Sequence, residues 1–394
     1  MQQKTNNWQT KKLGEVCDKI SLNKIKIKQK DYLLEGKFPV IDQGQDIIGG
    51  YFNDENLVVP NEPPFIIFGD HTKVKKFIPF KFIAGADGVK VLKAKENVLP
   101  KFLFYLLHTI KIENKGYARH FQLLEKENFL FPEDLETQHA IVSKIEELFS
   151  ELDKGIAELK TAQLQLKTYR QSVLKSAFEG KLTNENVKNG ELPEGWEWKT
   201  FSDVCVRIGD IDHKMPKKTE NGKYPYLSTK DITNDFKLSF DNVKLISEED
   251  YLMLSRKIKP EKGDIIFPRY GTIGKNVLVD TDKKFLISYS CAIIKPNTNL
   301  INEKYIYLFS LSPKVTDEIR KYVVETTQAN IGIGSIKSFV FPLAPLEDQH
   351  RVVQEIENRL SVADKMEQSI QESLQKAEAL RQSILKKAFC GELV

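Results

Sequence analysis

Four cysteines in 394 residues, with no CxxC pair and no neighbouring histidine pair, give no basis for a zinc site or a disulfide framework. Reduced thiols in structural positions are the expectation. Long apolar runs are missing as well. FLFYLLH at 102–108 is far below the roughly 18 residues a membrane span needs, and MQQKTNNWQTKK at the N-terminus has no apolar segment of the signal-peptide kind. A cytoplasmic address without a membrane partner follows. An excess of one charge is missing too: 59 basic against 55 acidic residues leaves a formal +4, which a solvated surface explains by itself. Only the local runs NKIKIKQK (23–30), TKVKK (72–76) and RKIKPEK (256–262) offer tracks for a polyanion. The remaining composition is globular, and the length suffices for two or three domains with cores of their own.

Against these absences stands a repeat. RQSVLKSAFEGKL (170–182) returns as RQSILKKAFCGEL (381–393) with nine of thirteen residues kept. The same offset of 211 aligns LETQHAIVSKIEEL (135–148) with LEDQHRVVQEIENR (346–359). A different offset, 188, aligns Trp8, Leu13, Glu15, Val16 and Cys17 with Trp196, Phe201, Asp203, Val204 and Cys205. Both ends of two halves therefore match, and the second half is longer in its middle.

The repeated tails read as helices. Ile145, Leu152, Leu159, Leu166 and Val173 lie seven apart in the first, and Ile356, Ala363, Ile370, Ala377 and Ile384 repeat that step in the second. Asp134 suits an N-cap, Pro345 a first helical turn, and Gly180 and Gly391 a left-handed C-terminal cap. His139 and His350, in the shared phrase QH, suggest packing or capping. Gly155 has Met366 at the matching place, so no shared break is expected. A helix of about 43 residues is roughly 65 Å long, and its seam requires a partner. Its own duplicate, running antiparallel, is the expected one; the alternatives are its own globular half or another chain.

The divergent middles, among them KFPVIDQGQDIIGGYF, PPFIIFG, YPYLSTKDI and GDIIFPRYGTIGK, read as short strands broken by Gly, Asp and Pro. Each closes on an aromatic helical stretch, LPKFLFYLLHTI and INEKYIYLFSLSP. The fold class is α+β: two domains with two long helices, an internal tandem repeat with pseudo-twofold symmetry. The expected boundaries are 1–134 for the first domain, 135–182 for the first helix, 183–192 for a linker, 193–344 for the second domain and 345–394 for the second helix.

Catalytic signatures are absent from the pattern. EPPF at 62–65 has Glu62 where an amino-methylating enzyme needs Asp, Asn or Ser, and no Gly-rich turn for S-adenosylmethionine accompanies it. GTIGK at 271–275 is followed by Asn276 and lacks phosphate-loop spacing. His71, His108, His120 and His213 have no metal partner nearby in sequence. A non-catalytic binding protein is expected.

Two variable segments, opening on NWQTKKLGEVC and LPEGWEWKTFSDVC and closing on LExQH plus a helix ending RQSxLKxAFxGxL, resemble the DNA specificity subunits of type I restriction-modification systems. LAPLEDQH, GDIIFPRYGTIGK and FGDHTK with ADGVKVL carry the resemblance further, across essentially the whole chain. It implies a non-enzymatic subunit with two target-recognition domains, each reading half of a split, asymmetric site on double-stranded DNA. It also implies helices that set the spacing and dock two modification subunits, alongside restriction subunits. S-adenosylmethionine, ATP and magnesium would then be used by those partners, with no cofactor or metal in this chain.

Base edges require donors and acceptors on a preformed surface, so the polar loops between strands are the candidates. In the first domain these are Asp42, Gln43, Gln45, Asp70, His71, Thr72, Lys73 and Asp87. In the second they are Ser228, Thr229, Lys230, Arg269, Tyr270, Thr272 and Lys275. For Arg269 a guanine or phosphate contact stands beside an ordinary strand-end charge. Two rival readings remain at this point: a fused enzyme with hidden activity, and a coiled-coil assembly protein with no DNA role.

Overall fold

The computed structural model describes residues 8–22, 25–86, 88–113, 119–184, 187–188, 190–323 and 329–393. The chain forms two compact units, one of residues 1–160 with 371–394, the other of residues 161–370. Each unit therefore combines one variable domain with the start of one long helix and the end of the other.

In the first unit β1 (Trp8–Lys12) leads through α1 (Leu13–Val16) into β2 (Cys17–Ile20), β3 (Lys26–Ile27), β4 (Phe38–Ile41), β5 (Gly50–Phe52), β6 (Phe65–Gly69), β7 (Lys75–Ile78), β8 (Ile83–Gly85) and β9 (Val89–Ala94). Then come α2 (Pro100–Thr109), α3 (Phe121–Leu124), β10 (Asn128–Pro132) and the first long helix, α4 (Leu135–Phe178). One sheet has the order β2-β9-β6-β7 and a second β3-β8-β4-β5, while β1 pairs antiparallel with β10. Along β6 apolar residues fill both faces, as a strand between two layers requires, and every residue of it is buried.

The second unit repeats the plan with β11 (Glu197–Thr200), α5 (Phe201–Val204), β12 (Cys205–Gly209), β13 (Tyr224–Leu227), β14 (Lys244–Ile246), α6 (Glu248–Ser255), β15 (Ile265–Pro268), β16 (Val277–Leu278), β17 (Leu286–Ile287) and β18 (Cys291–Pro296). α7 (Glu303–Ser310), α8 (Pro313–Tyr322), α9 (Ile333–Lys337), β19 (Val340–Leu343) and the second long helix α10 (Leu346–Phe389) complete it. Its sheets run β12-β18-β15-β16 and β14-β13-β17, with β11 paired to β19.

The repeated phrase is a plug. Val173, Leu174, Ala177 and Phe178 at the end of α4 lie in the core of the second unit with Trp196, Phe201, Tyr305 and Phe309. Leu385, Ala388 and Phe389 at the end of α10 lie in the core of the first, with Phe102, Leu106, Ile141 and Ile145. The helix that leaves one variable domain thus ends inside the core of the other. Arg170 binds Asp364 at 2.6 Å and Glu367 at 2.8 Å within the second unit, and Arg381 binds Asp153 within the first. These arginines are matched residues of the repeated phrase, and within each unit the two helix segments run antiparallel.

The helix ends follow the sequence closely. Asp134 caps the N–H of Thr137 at 2.7 Å, Gly180 and Gly391 take φ of 76° and 73°, and α4 continues through Gly155. The expected heptad line Ile356, Ala363, Ile370, Ala377 and Ile384 is buried. Pro345 differs from expectation: its carbonyl accepts from Gln349 at 3.0 Å, which puts it one residue before the first turn, at the place matching Asp134.

The phrase QH also reads differently in space. His139 and His350 are exposed, while their neighbours Gln138 and Gln349 are fully buried. Gln138 accepts from Leu99 N at 2.7 Å and donates to the carbonyls of Asn97 (3.2 Å) and Pro132 (3.1 Å). Gln349 repeats this with Asn302 N (2.7 Å), Leu300 O (3.1 Å) and Ala344 O (2.7 Å). One amide can satisfy an acceptor need and two donor needs, so it fastens the long helix to the edge of the domain and the next helix together; an imidazole cannot. Replacing Gln138 by leucine strands a buried N–H and two carbonyls, and thermal unfolding should report a loss of about 3 kcal/mol. An unchanged melting curve would refute this role.

Cys17 and Cys291 are buried and Cys205 is partly buried; burial pushes all three thiols up to about 12. Cys390 is exposed. At pH 8 a thiol-alkylating reagent should label Cys390 quickly and the other three only after denaturation, as mass spectrometry of the digested protein would record. No helix among the described residues is long and apolar enough to cross a membrane.

Candidate nucleic-acid interface

Strand pairing gives a residue-by-residue match between the two domains. Cys17 pairs with Ala94 and Ile66 with Leu92; Cys205 pairs with Pro296 and Ile265 with Ile294. This register makes Phe68 equivalent to Phe267, Asp70 to Arg269 and His71 to Tyr270. In the other sheet Ile41 pairs with Ala84 and Leu227 with Ile287, both parallel, which makes Asp42 equivalent to Ser228 and Gln43 to Thr229. Apart from Asp87, the candidates picked from each half thus occupy matching loops, one after β4 or β13 and one after β6 or β15, with different chemistry at each of these four matched positions.

In the first domain these loops touch. The side-chain oxygen of Gln43 accepts from His71 N at 3.2 Å, and Thr72 Oγ1 donates to Gln43 O at 2.7 Å. Gly88, at φ 75°, lies so close that a Cβ there would come within 2.7 Å of Gln43 Oε1, so only glycine permits this approach. Lys73 holds a left-handed φ of 60° with its N–H on Gly69 O at 2.8 Å. Gln45 and Thr72 are exposed. Asp87 lies outside the described residues.

Asp70 is buried and its polar atoms are bound internally. Its carboxylate accepts from Phe121 N at 2.8 Å and faces Lys90 at 3.4 Å; its carbonyl accepts from His120 N at 2.8 Å. Arg269 is buried likewise, with Nη1 2.5 Å from Asp210 Oδ2 and Nε on Ile331 O at 3.0 Å. Its carbonyl accepts from Ile331 N, the residue that matches His120. Two opposite charges at one equivalent place therefore perform one task, tying the end of their strand to the segment at residues 120–121 or at 331.

Asp210 gathers three partners: the cations Arg269 and Lys257, the latter at 2.9 Å, and the His213 ring at 3.3 Å. Burial alone would raise its carboxyl, but the hydrogen bonds from Lys257 and His213 and the charges of Lys257 and Arg269 hold it below the usual carboxylate range. Tyr270 lies with its ring 5.4 Å from the Arg269 guanidinium and pairs with Asn330. Thr272 is exposed and Lys275 Nζ donates to Asn234 Oδ1 at 2.9 Å, which ties this loop to the turn after Ser228, Thr229 and Lys230. Ser228 N and Oγ both donate to Asp231 Oδ2, at 2.8 and 3.0 Å. Lys230 faces solvent.

Sequence reasoning missed Asp210 and misread Lys76, which the run TKVKK offered as part of a track for a polyanion but which the fold turns inward. Lys76 is 5% exposed, and its ammonium donates to the carbonyls of Asp42 (2.9 Å) and Asp46 (2.5 Å) while facing Asp42 Oδ1 at 3.6 Å. A lysine in phase with Ile78, on the inward side of an alternating strand, was the available signal. Among the described residues no group of three or more His, Cys, Asp or Glu could hold a metal ion.

The family model for the type I restriction modification DNA specificity domain matches residues 5–161 and 193–376. The chain is 28% identical over 272 residues to the type I restriction enzyme EcoBI specificity subunit of Escherichia coli, covering 66% of this chain and 57% of that relative. It is 26% identical over 389 residues to the EcoR124I/EcoR124II specificity subunit of Escherichia coli, covering 94% of this chain and 90% of that one. Among solved structures, a chain from work on complex assembly and conformational transition of the type I R-M system superposes with a TM-score of 0.72 at 20% identity, over 98% of this chain and 99% of that one. The HsdS subunit from Thermoanaerobacter tengcongensis gives 0.54 at 20% identity, over 98% of both chains. These two likenesses concern the fold.

Proposed function

Since this chain belongs to the family of type I restriction modification DNA specificity domains, we propose that it is the non-catalytic sequence reader of a type I restriction-modification complex. Each variable domain reads one half of a bipartite, asymmetric site on double-stranded DNA. The domains proposed as readers are residues 1–134 and 193–344; residues 135–182 and 345–394 form the frame, joined by a linker at 183–192. The frame sets the half-site spacing and docks two modification subunits, which use S-adenosylmethionine; restriction subunits use ATP and magnesium. The complex works in the cytoplasm.

One observation carries this reading: the two ends of the frame repeat, with nine of thirteen residues kept in the closing phrase, whereas the equivalent loop positions differ, Asp42 and Gln43 against Ser228 and Thr229, His71 against Tyr270. An asymmetric site needs two unlike surfaces on one repeated support, because phosphate contacts position a protein while base edges carry the information. The contacting residues are proposed to be the accessible candidates Gln43, Gln45, His71, Thr72 and Lys73 in the first reader, together with Asp42 and Asp87. In the second they are Ser228, Thr229, Lys230, Tyr270, Thr272 and Lys275, with Asp70 and Arg269 as supports behind them.

Inserting residues near Asn184 should alter the gap between methylated half-sites and leave their letters unchanged, as a methylome of cells carrying the altered chain would record. Changed letters at the old gap would refute the division into frame and readers.

A further inference from the structure

The loop at residues 42–48 carries an arrangement that the reading above does not use. Lys76 reaches under it from β7, only 5% exposed, and holds the carbonyls of Asp42 and Asp46 together. Gly44 N donates to Asp42 Oδ1 at 2.8 Å and Gly49 N to Val40 O at 2.9 Å, so the loop is closed at its base as well. Ile48 turns inward and packs beside Ile41, Phe65 and Ile67. Ile47 turns outward and is 60% exposed.

A pinned loop that holds out a β-branched apolar side chain gains nothing from it in the folded chain, since exposed Ile contributes no buried area. The stretch DQGQDIIGG at 42–50 has no Lys or Arg, so phosphates repel rather than attract it. What it offers is amide groups and a branched hydrocarbon, and these suit base edges. In the major groove, only thymine presents a methyl group for apolar contact.

We propose that the loop at residues 42–48 enters the major groove as a preformed unit, and that Ile47 packs on the 5-methyl group of a thymine in the half-site read by the first domain. Lys76 is the positioning residue: it fixes the loop without touching DNA, and so removes the ordering cost that a mobile loop would meet on binding. The proposal rests on the reading of this chain as a DNA sequence reader.

The test uses the chain assembled with its modification subunits and a duplex carrying the methylated site. Each thymine of that site is replaced singly by deoxyuridine, which removes the methyl group and leaves the hydrogen-bonding edge intact. One thymine, in one half-site only, should weaken binding about fourfold, the worth of one methyl-sized contact. Ile47→Ala should lose a similar factor on the unmodified site and be indifferent to uridine at that thymine. Lys76→Met should lose the same uridine sensitivity while keeping its affinity for scrambled DNA. If no uridine weakens the wild-type complex, or if Ile47→Ala stays as sensitive as wild type at that thymine, the proposal is overturned and the sequence-reading role stands. Equal binding of the site and a scrambled duplex would overturn both.

Discussion

Phe389→Ala should destabilise the first unit by about 4 kcal/mol, although residue 389 is more than 250 positions from most of the core it fills. The ring is nearly buried, 5.1 Å from that of Phe102, and the cluster around it contains Leu103, Leu106, Leu124, Ile141 and Ile145. Truncation leaves a cavity among these packed side chains, and such walls relax only partly. Hydrogen exchange followed by mass spectrometry would locate the loss: peptides from residues 65–109 should exchange faster, and those from 265–309 should keep their protection. Phe178→Ala should invert the pattern, because Phe178 packs on Tyr305 and Phe309 at 5.1 and 5.0 Å. Faster exchange in the same domain for both variants would contradict the crossed arrangement of the two plugs.

The second large effect belongs to Arg269. Arg269→Met removes the shortest partner of Asp210 and leaves that buried carboxylate to Lys257 and His213. Breaking one side of a buried ion pair costs about 3–5 kcal/mol, and with Lys257 still present the lower end is expected, about 3 kcal/mol. The carbonyl of Ile331 loses its donor as well. Acid should act on the same pair. Asp210 has a folded value below its unfolded one, so its contribution is complete above the unfolded carboxylate range and disappears as pH falls through the lower, folded value. The wild type should therefore lose stability on acidification in that window, and Asp210→Asn should lose less. A pH-independent difference between the two proteins would contradict this.

Much of the frame was legible because its signals are local. A seven-residue step, a capping Asp134 and two terminal glycines each act within a few residues, and helix α4 follows from them. The anchoring amide was harder to read: QH offers two polar residues, and only the helical phase, with Gln138 in line with the buried Ile141, Val142 and Ile145, tells which one faces inward. The crossed placement of the helix ends follows from the antiparallel pairing expected of the two copies, but that Phe178 and Phe389 enter the aromatic cores there was not legible, since a repeated phrase does not name its contacts.

The match between readers was hidden for a related reason. Its offset changes along the chain, from 186 between Asp42 and Ser228 to 199 between Asp70 and Arg269 and 211 between His120 and Ile331, and α6 lies in the first of these gaps. Strand register, which ties residues tens of positions apart, recovers what a fixed shift cannot. Arg269 and Asp70 were picked for their polarity at strand ends. Their burial depends on Asp210 and on Phe121, partners some fifty residues away, which no local pattern reveals.

If two unlike readers on one duplicated frame each determine half of a DNA site, exchanging one reader changes one half alone. The direct measurement is the methylome of a host carrying this chain, compared with that of a host whose copy has residues 193–344 exchanged for the second reader of a relative. One half-site and the gap should stay as they were while the other half-site changes. A change of both half-sites together, or of neither, would contradict the division of the site between two readers.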